Sequence, residues 1–423
     1  MKTKVACTHY NMRKRYLQLE KATQIRKKLA QFIDEKSFAF PKYDTLARLL
    51  CGKYKLSEQQ ASDLFAIYSA ISSVRSLKLS ERRNLFFVRK KRTDHLLHLV
   101  ESEQLTKIEI EKYINYGLRL KCYLTKSNDN YAKRMKLKKL LADKIIFNLF
   151  IERSSRTHRS FDAAAKMLGA SVINEKDPTA ISLMSRNESF ADSIRTFCQY
   201  SDLLILRAPW PYVIEEAIEA QKKLQNIIPV INAGSGSNQH PTQGLLDVMT
   251  IKEVLKIKSF DELKKKRVVI IGTRFKRALR SFIITLYAVC PEIEFVIIAP
   301  PGESSLKNIT KRLNFDSLDI TISNSISKSV RGALVIYLAS IESKPTSNYQ
   351  KTLKLKEKNL KFADKRCIIL HPLPRNSEMN YNIGRMPSNQ IWTQVKNGLY
   401  IRAILLIDCF GRLKKIEKIL RKI

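Results

Sequence analysis

The chain has 423 residues, 44% of them hydrophobic, and a formal net charge of +38 at pH 7. Its length allows two or three domains with cores of their own, and the lack of any apolar run of about 18 residues argues against a membrane helix. Seven cysteines scattered singly, no CxxC pair and six histidines without a close pair give no zinc pattern and fit reduced thiols in a cytoplasmic compartment.

Residues 1–92 are expected to form a basic helical extension. The first thirty residues hold nine Lys or Arg against one Glu. Ala22, Ile25, Leu29 and Phe32 recur at spacings of three and four, one face of a helix. Ser57-Glu58-Gln59-Gln60 has the form of a capping box. Ala61, Leu64, Ile67 or Tyr68, and Ile71 then give a second amphipathic helix. Arg89-Lys90-Lys91-Arg92 reads as a solvated linker. The opening stretch has no secretory signal pattern, and a transit segment is the alternative there.

From about residue 94 onward, strand-like runs alternate with helical patterns. The runs are Ile145–Ile151, Leu203–Leu206, Ile227–Ile231, Val268–Ile271, Phe295–Ala299, Ala333–Leu338 and Cys367–Leu370. Such alternation predicts parallel sheets with helices on both faces. Ligands in such sheets bind beyond the carboxyl ends of the strands.

Three motifs follow these runs. Ser154-Ser155-Arg156-Thr157 opens a helix whose apolar face is Phe161, Ala164, Ala165 and Leu168. Unpaired first-turn N–H groups, hydroxyls and a guanidinium make a phosphate cradle. An ordinary serine cap beside a surface arginine is the alternative. Asn232 to Gln243 runs through a Gly/Ser turn into His240-Pro241, and an apolar helix follows with Leu245, Leu246, Val248 and Met249. Proline suits the first turn of a helix, so His240 and Gln243 sit at a loop-to-helix junction. The third motif is His371-Pro372-Leu373-Pro374-Arg375, where each proline holds its neighbour extended and leaves carbonyls free.

In this order, over residues 94–423, the three motifs resemble the transcarbamoylase family. The resemblance implies two parallel-sheet α/β domains behind the helical extension 1–92. Residues 93–241, completed by a C-terminal helix at 398–423, would bind carbamoyl phosphate, and residues 242–397 the amino acid. Ser154, Ser155, Arg156 and Thr157 match the phosphate-binding run, with serine in place of its first threonine. Arg207 matches an arginine that binds phosphate and carbonyl oxygen; His240 and Gln243 match the residues that grip the carbamoyl group. Ser182 and Arg186 fall where the family has a serine and a lysine that reach a neighbouring subunit's site, which implies a homotrimer. Thr157, Arg207 and His240 would donate to the tetrahedral oxyanion. Arg277 matches an arginine that binds the aspartate carboxylate, and Glu152 an acid that pairs with it. Carbonyls of Pro372 and Leu373 would take the amine's protons. Ornithine-specific relatives have cysteine at the Pro372 position, so the aspartate branch is implied. The chemistry needs no metal and no cofactor, and belongs to pyrimidine biosynthesis in the cytoplasm.

One segment departs from the family. After the run Ala333–Leu338 the family has Arg, any residue, Gln to hold aspartate; here Ser340, Ile341 and Glu342 stand. A positive charge is lost and a negative one added, a change of about 3–5 kcal/mol at a buried carboxylate contact. The alternatives are that Lys344 or another base serves, that the acceptor is a different amine, or that turnover is impaired. A reading of another class is a basic scaffold that docks nucleic acid or a partner through residues 1–92. The lysines run along the whole chain without interleaved aromatics, which favours solvated faces instead.

Overall fold

The computed structural model of the chain describes residues 20–31, 41–76, 95–125, 130–175, 188–272, 277–298, 318–339, 353–375 and 378–421. Ser182, Arg186, Ser340, Glu342 and Lys344 lie outside them, as does the linker at 89–92. Two compact units emerge. The first gathers residues 1–104, 129–239 and 405–422; the second gathers 105–128, 240–404 and 423. The helix Lys107–Thr125, expected within 93–241, thus groups with the second unit.

In the first unit, four parallel strands form a sheet in the order β2-β1-β3-β4: β1 is Ile145–Phe150, β2 Ser171–Glu175, β3 Leu203–Ala208 and β4 Val230–Ser235. β1 and β3 read almost wholly apolar and are buried along nearly their whole length, as strands covered on both faces must be. On one face Phe147, Leu149, Leu204 and Leu206 meet Ile194, Val213 and Ala217 from flanking helices. Alternate residues along each strand make that face.

In the second unit, five parallel strands run in the order β7-β6-β5-β8-β9: β5 is Arg267–Ile271, β6 Glu294–Ile298, β7 Ile320–Ser323, β8 Ala333–Leu338 and β9 Ile368–Leu370. Strand order reverses between β1 and β3 in one sheet and between β5 and β8 in the other. A crevice opens at the carboxyl ends of the strands wherever the order reverses. The registers place Phe150 beside Arg207 and Ile271 beside Leu338, and so fix which residues border each reversal.

β2 and β7 were not expected from the sequence. Both are edge strands, and both are partly exposed along their length. Ser-Val-Ile-Asn-Glu and Ile-Thr-Ile-Ser carry too little apolar pattern to announce a strand. β4 also starts three residues later than the expected run and continues into the Asn232–Ser235 motif.

The extension is helical at 20–31 and at Glu58–Ser76. The capping box forms: Gln60 N–H donates to Ser57 Oγ (3.2 Å) and Ser57 N–H to Gln60 Oε1 (3.1 Å). Ile25, Leu29, Ala61, Tyr68 and Ile71 are buried. Tyr43–Ala47 and the wider turn Arg48–Lys53, not expected from periodicity, complete a small core with Leu46 and Leu50. Among the described residues, no helix is long and apolar enough to cross a membrane.

In the second unit the helices Pro241–Val254 and Arg277–Val289 pack closely. Gly244 is where they approach: a Cβ there would lie 2.4 Å from the carbonyl oxygen of Ser281 and 2.4 Å from Thr285 Oγ1. Gly244→Ala should therefore destabilise the protein by about 1–3 kcal/mol. Chemical denaturation reads this, and an unchanged unfolding midpoint would show that the two helices have room to spare.

Candidate active site

In the first unit the run Ser154–Thr157 and Arg207 both lie at the β1/β3 reversal. After β1 the chain passes Ile151, Glu152 and Arg153 and enters the helix Ser155–Met167, with Ser154 in extended conformation at its N-cap (φ −153°, ψ 103°). The Ser154 hydroxyl does not cap its own helix. The positive end of the helix dipole, the hydroxyls of Ser154 and Ser155 and the exposed Arg156 share that turn. Thr157 is buried, and Phe161, Ala164, Ala165 and Leu168 form the helix's buried face as expected.

Arg207 lies at the end of the neighbouring strand, and little of it is exposed. Its Nη1 donates to the carbonyl oxygen of Ala233 (3.1 Å) and its Nη2 to Glu152 Oε1 (3.0 Å). Its own carbonyl oxygen accepts from the N–H groups of Ile151 (2.9 Å) and Glu152 (3.3 Å). Backbone and side chain together therefore tie Arg207 to the segment that leads into Ser154. Glu152, matched by resemblance to an acid that pairs with Arg277, is engaged with Arg207 here.

The Gly/Ser turn after β4 is held internally. Asn232 Oδ1 accepts from the Gly234 N–H (2.7 Å), and Gly236, at φ +46°, donates to the Ala208 carbonyl oxygen (2.9 Å). A Cβ on Gly236 would lie 2.6 Å from the Pro211 nitrogen, so glycine alone fits there. Gln239 is fully buried and donates to Glu103 Oε2 (2.7 Å).

In the second unit His240 is the N-cap of the helix Pro241–Val254, with proline at its first position. Its N–H donates to Ser281 Oγ (2.9 Å), and its Nδ1 lies 3.5 Å from Thr242 Oγ1. Gln243, one residue into the helix after Thr242, donates through Nε2 to Asp247 Oδ1 (2.9 Å). Asp247 is fully buried and also accepts from Gln394 Nε2 (2.6 Å) and the Tyr337 hydroxyl (3.0 Å). Gln394 turns its other end to the N–H of His371 (2.9 Å). His371 Nδ1 accepts from the Leu373 N–H (2.7 Å), which leaves Nε2 as the protonated nitrogen, 2.6 Å from Glu378 Oε1. That bond holds Leu373 at φ +63°, a conformation a branched residue seldom takes. The His371-Pro372-Leu373 backbone is thus set by a buried chain of polar contacts that begins at Gln243.

Arg277 is the first residue of its helix, six residues beyond β5, and is half-buried. Pro372 and Leu373 are half-buried and follow β9 directly. Sequence reasoning missed Asp247, Tyr337, Gln394 and Glu378. Only Asp247 gave a signal, as an acid within an apolar run four residues after Gln243. Among the described residues, no group of three or more His, Cys, Asp or Glu is arranged to hold a metal.

Burial pushes the Asp247 carboxyl up to about 7, against the opposing pull of its three donors. In the unfolded chain it ionises near the ordinary 3.8. The folded state therefore holds this proton longer, and its stability falls as pH rises from roughly 4 to 7. Asp247→Asn removes the titration. Its unfolding free energy minus that of the unaltered protein should climb by up to about 4 kcal/mol across that window and then level off. A difference that stays flat with pH would mean that Asp247 titrates normally.

Comparison with known proteins also divides the chain in two, with the boundary between residues 253 and 264. A sequence profile described as the carbamoyl-P binding domain of aspartate/ornithine carbamoyltransferase matches residues 97–253. A second, described as the Asp/Orn binding domain, matches residues 264–409. The aspartate carbamoyltransferase catalytic subunit of Alkaliphilus oremlandii is 32% identical over 325 residues, 75% of this chain and 92% of that one. The catalytic subunit of Wigglesworthia glossinidia brevipalpis is 29% identical over 74% of this chain and 97% of its own. Among solved structures, aspartate transcarbamoylase from Trypanosoma cruzi in complex with carbamoyl aspartate and phosphate superposes with a TM-score of 0.62. It is 26% identical, covering 74% of this chain and 95% of that one. The same enzyme with carbamoyl phosphate and aspartate gives 0.61 over 74% and 95%.

Proposed function

This chain belongs to the aspartate/ornithine carbamoyltransferase family, and we propose that it transfers the carbamoyl group of carbamoyl phosphate to the amine of L-aspartate. The products are N-carbamoyl-L-aspartate and phosphate, a step of pyrimidine biosynthesis in the cytoplasm. The observation that carries this reading is the β1/β3 strand end, where an uncapped helix N-terminus and the tethered Arg207 guanidinium border one reversal of strand order. The Trypanosoma cruzi enzyme, of like fold, has been crystallised with both substrates.

Phosphate oxygens take the first-turn N–H groups, the hydroxyls of Ser154 and Ser155, and Arg156. Thr157, Arg207 and His240 donate to the carbamoyl oxygen, and Gln243 holds the carbamoyl amide. A neutral amine attacks the carbamoyl carbon, and negative charge gathers on the carbonyl oxygen. Each fixed donor to that oxygen contributes about 3–4 kcal/mol to the transition state. The C–O bond to phosphate then breaks, with the leaving dianion stabilised by Arg156 and the helix dipole. The amine's surplus proton passes to the departing phosphate, while the carbonyls of Pro372 and Leu373 orient the N–H groups. Arg277 binds a carboxylate of aspartate. No step requires a cofactor.

Ser340 and Glu342 keep a second reading in view: an acceptor other than aspartate, or slow turnover, because a carboxylate stands where the family offers Arg and Gln. Purified protein should convert carbamoyl phosphate and aspartate to carbamoyl-aspartate. Ser340→Arg with Glu342→Gln should raise aspartate kcat/KM about tenfold or more, which converts to roughly 1.4 kcal/mol. Absence of carbamoyl-aspartate in both proteins, at millimolar aspartate and with the fold intact, would refute aspartate as acceptor. A panel of other amines in the same assay then identifies the substrate.

Ser182 and Arg186 match residues that serve a neighbouring subunit, so a homotrimer with shared sites is part of the proposal. Chains carrying Arg156→Ala and chains carrying Arg186→Ala should each be nearly inactive. When the two are mixed and reassembled, measurable activity should return, because some sites then draw on one intact partner of each kind. No recovery in mixed trimers would place Arg186 in its own chain's site.

A further inference from the structure

Residues 20–31 and 41–76 precede the region matched by the family, yet they are built into the first unit. Their attachment is made by two arginines, Arg26 buried and Arg75 half-buried. Arg26 binds Glu216 bidentately, Nη2 to Oε1 at 2.8 Å and Nε to Oε2 at 3.0 Å, with both side chains nearly inaccessible. Its guanidinium also lies 4.8 Å from the Trp210 ring centre. Glu216 accepts in addition from Trp210 Nε1 (3.2 Å) and the Tyr68 hydroxyl (3.4 Å). Arg75 is placed likewise, on Glu101 (2.5 Å) and Glu215, with its guanidinium 5.0 Å from the Tyr212 ring centre.

These partners are not scattered. Trp210 and Tyr212 belong to the four-residue connection, 209–212, that runs from the end of β3 to the helix Val213–Gln221, two residues beyond Arg207. Trp210 is fully buried, and Tyr212 sits at φ +60°. Tyr212 does not settle there by local preference, since a non-glycine residue at positive φ is held by its surroundings. Glu101 begins the segment whose Glu103 accepts from Gln239. The extension therefore grips the two backbone stretches that hold the Arg207 strand end and the turn after β4.

We propose that residues 20–31 and 41–76 act as an in-chain clamp, in which Arg26 and Arg75 are positioning residues that fix the Trp210–Tyr212 connection and with it the Arg207 guanidinium for carbamoyl phosphate. The inference rests on the carbamoyl-transfer reading above. It differs from a purely structural role in what it alters. Loss of folded protein lowers the number of active sites and so the apparent kcat. Displacement of Arg207, which holds carbamoyl phosphate and donates to its carbamoyl oxygen in the transition state, raises the KM for carbamoyl phosphate and also lowers kcat per folded site.

Trp210 supplies an independent readout, because the chain has two tryptophans and the other, Trp392, is exposed. In a full-length Trp392→Phe background, Trp210 is the sole indole emitter. Arg26→Ala should shift its emission to the red, raise the KM for carbamoyl phosphate about tenfold and lower kcat per folded site about tenfold. Arg26→Lys keeps the charge but loses the bidentate and stacked geometry, and should fall between the two. If Arg26→Ala does not fold, Glu216→Gln carries the same test. An emission shift without a change in KM overturns the clamp, and so does an unshifted emission. If the unaltered chain forms no carbamoyl-aspartate, the aspartate reading fails by itself. The clamp is then judged by calorimetric affinity for inorganic phosphate, where a tenfold loss in Arg26→Ala upholds it and an unchanged affinity rejects it.

Discussion

Arg207 is the residue on which the first unit's chemistry depends. A guanidinium has five donors in a rigid plane. In this chain some of them are already committed, to the Ala233 carbonyl and to Glu152. That commitment fixes the plane before any ligand arrives, so little rotamer freedom is lost on binding. The same contacts span β1, β3 and β4, so the three strands and the turn after β4 must be in register for the arginine to be correctly aimed. In the proposed function, phosphate recognition would in this sense follow from sheet order.

The second unit achieves comparable rigidity by another route. A buried carboxylate, Asp247, collects three donors, and one of them passes the constraint on to His371 and the proline-rich loop. Burial of such a group costs stability at neutral pH, which its hydrogen bonds only partly offset. The carboxylate is retained where Gln243 and the Leu373 backbone must both be held. Glycine at position 244 contributes on the steric side by letting the helix behind His240 seat against Ser281.

Much of this was legible in the sequence, for identifiable reasons. Central strands such as Ile145–Phe150, but for Asn148, and Ala333–Leu338 are apolar because both faces are covered. The capping box at Ser57–Gln60 and the Pro241 start signal are local codes, and both helices begin there. The edge strands β2 and β7 were not visible, since a half-exposed strand needs few apolar residues. Nor were the partners of Asp247, which are joined over 90 and 147 positions of sequence. No local pattern encodes a contact at that separation. Roles given to Ser154, Arg156, Arg277 and Pro372 came from motif resemblance, and their geometry here accounts for how each is placed rather than for what each binds.

The basic composition takes on a more specific meaning beside the structure. Two of its arginines, Arg26 and Arg75, have little exposure and pair with the buried acids Glu101, Glu215 and Glu216. A buried pair is weak evidence for stability but strong evidence for a fixed geometry once formed. The most direct test of the whole account is the affinity for carbamoyl phosphate measured by calorimetry. Arg207→Ala should weaken binding about a hundredfold or more, while Arg159→Ala, on an exposed face of the neighbouring helix, should leave it within about twofold. Equal affinities for Arg207→Ala and the unaltered protein would contradict the assignment of the β1/β3 strand end as the phosphate site.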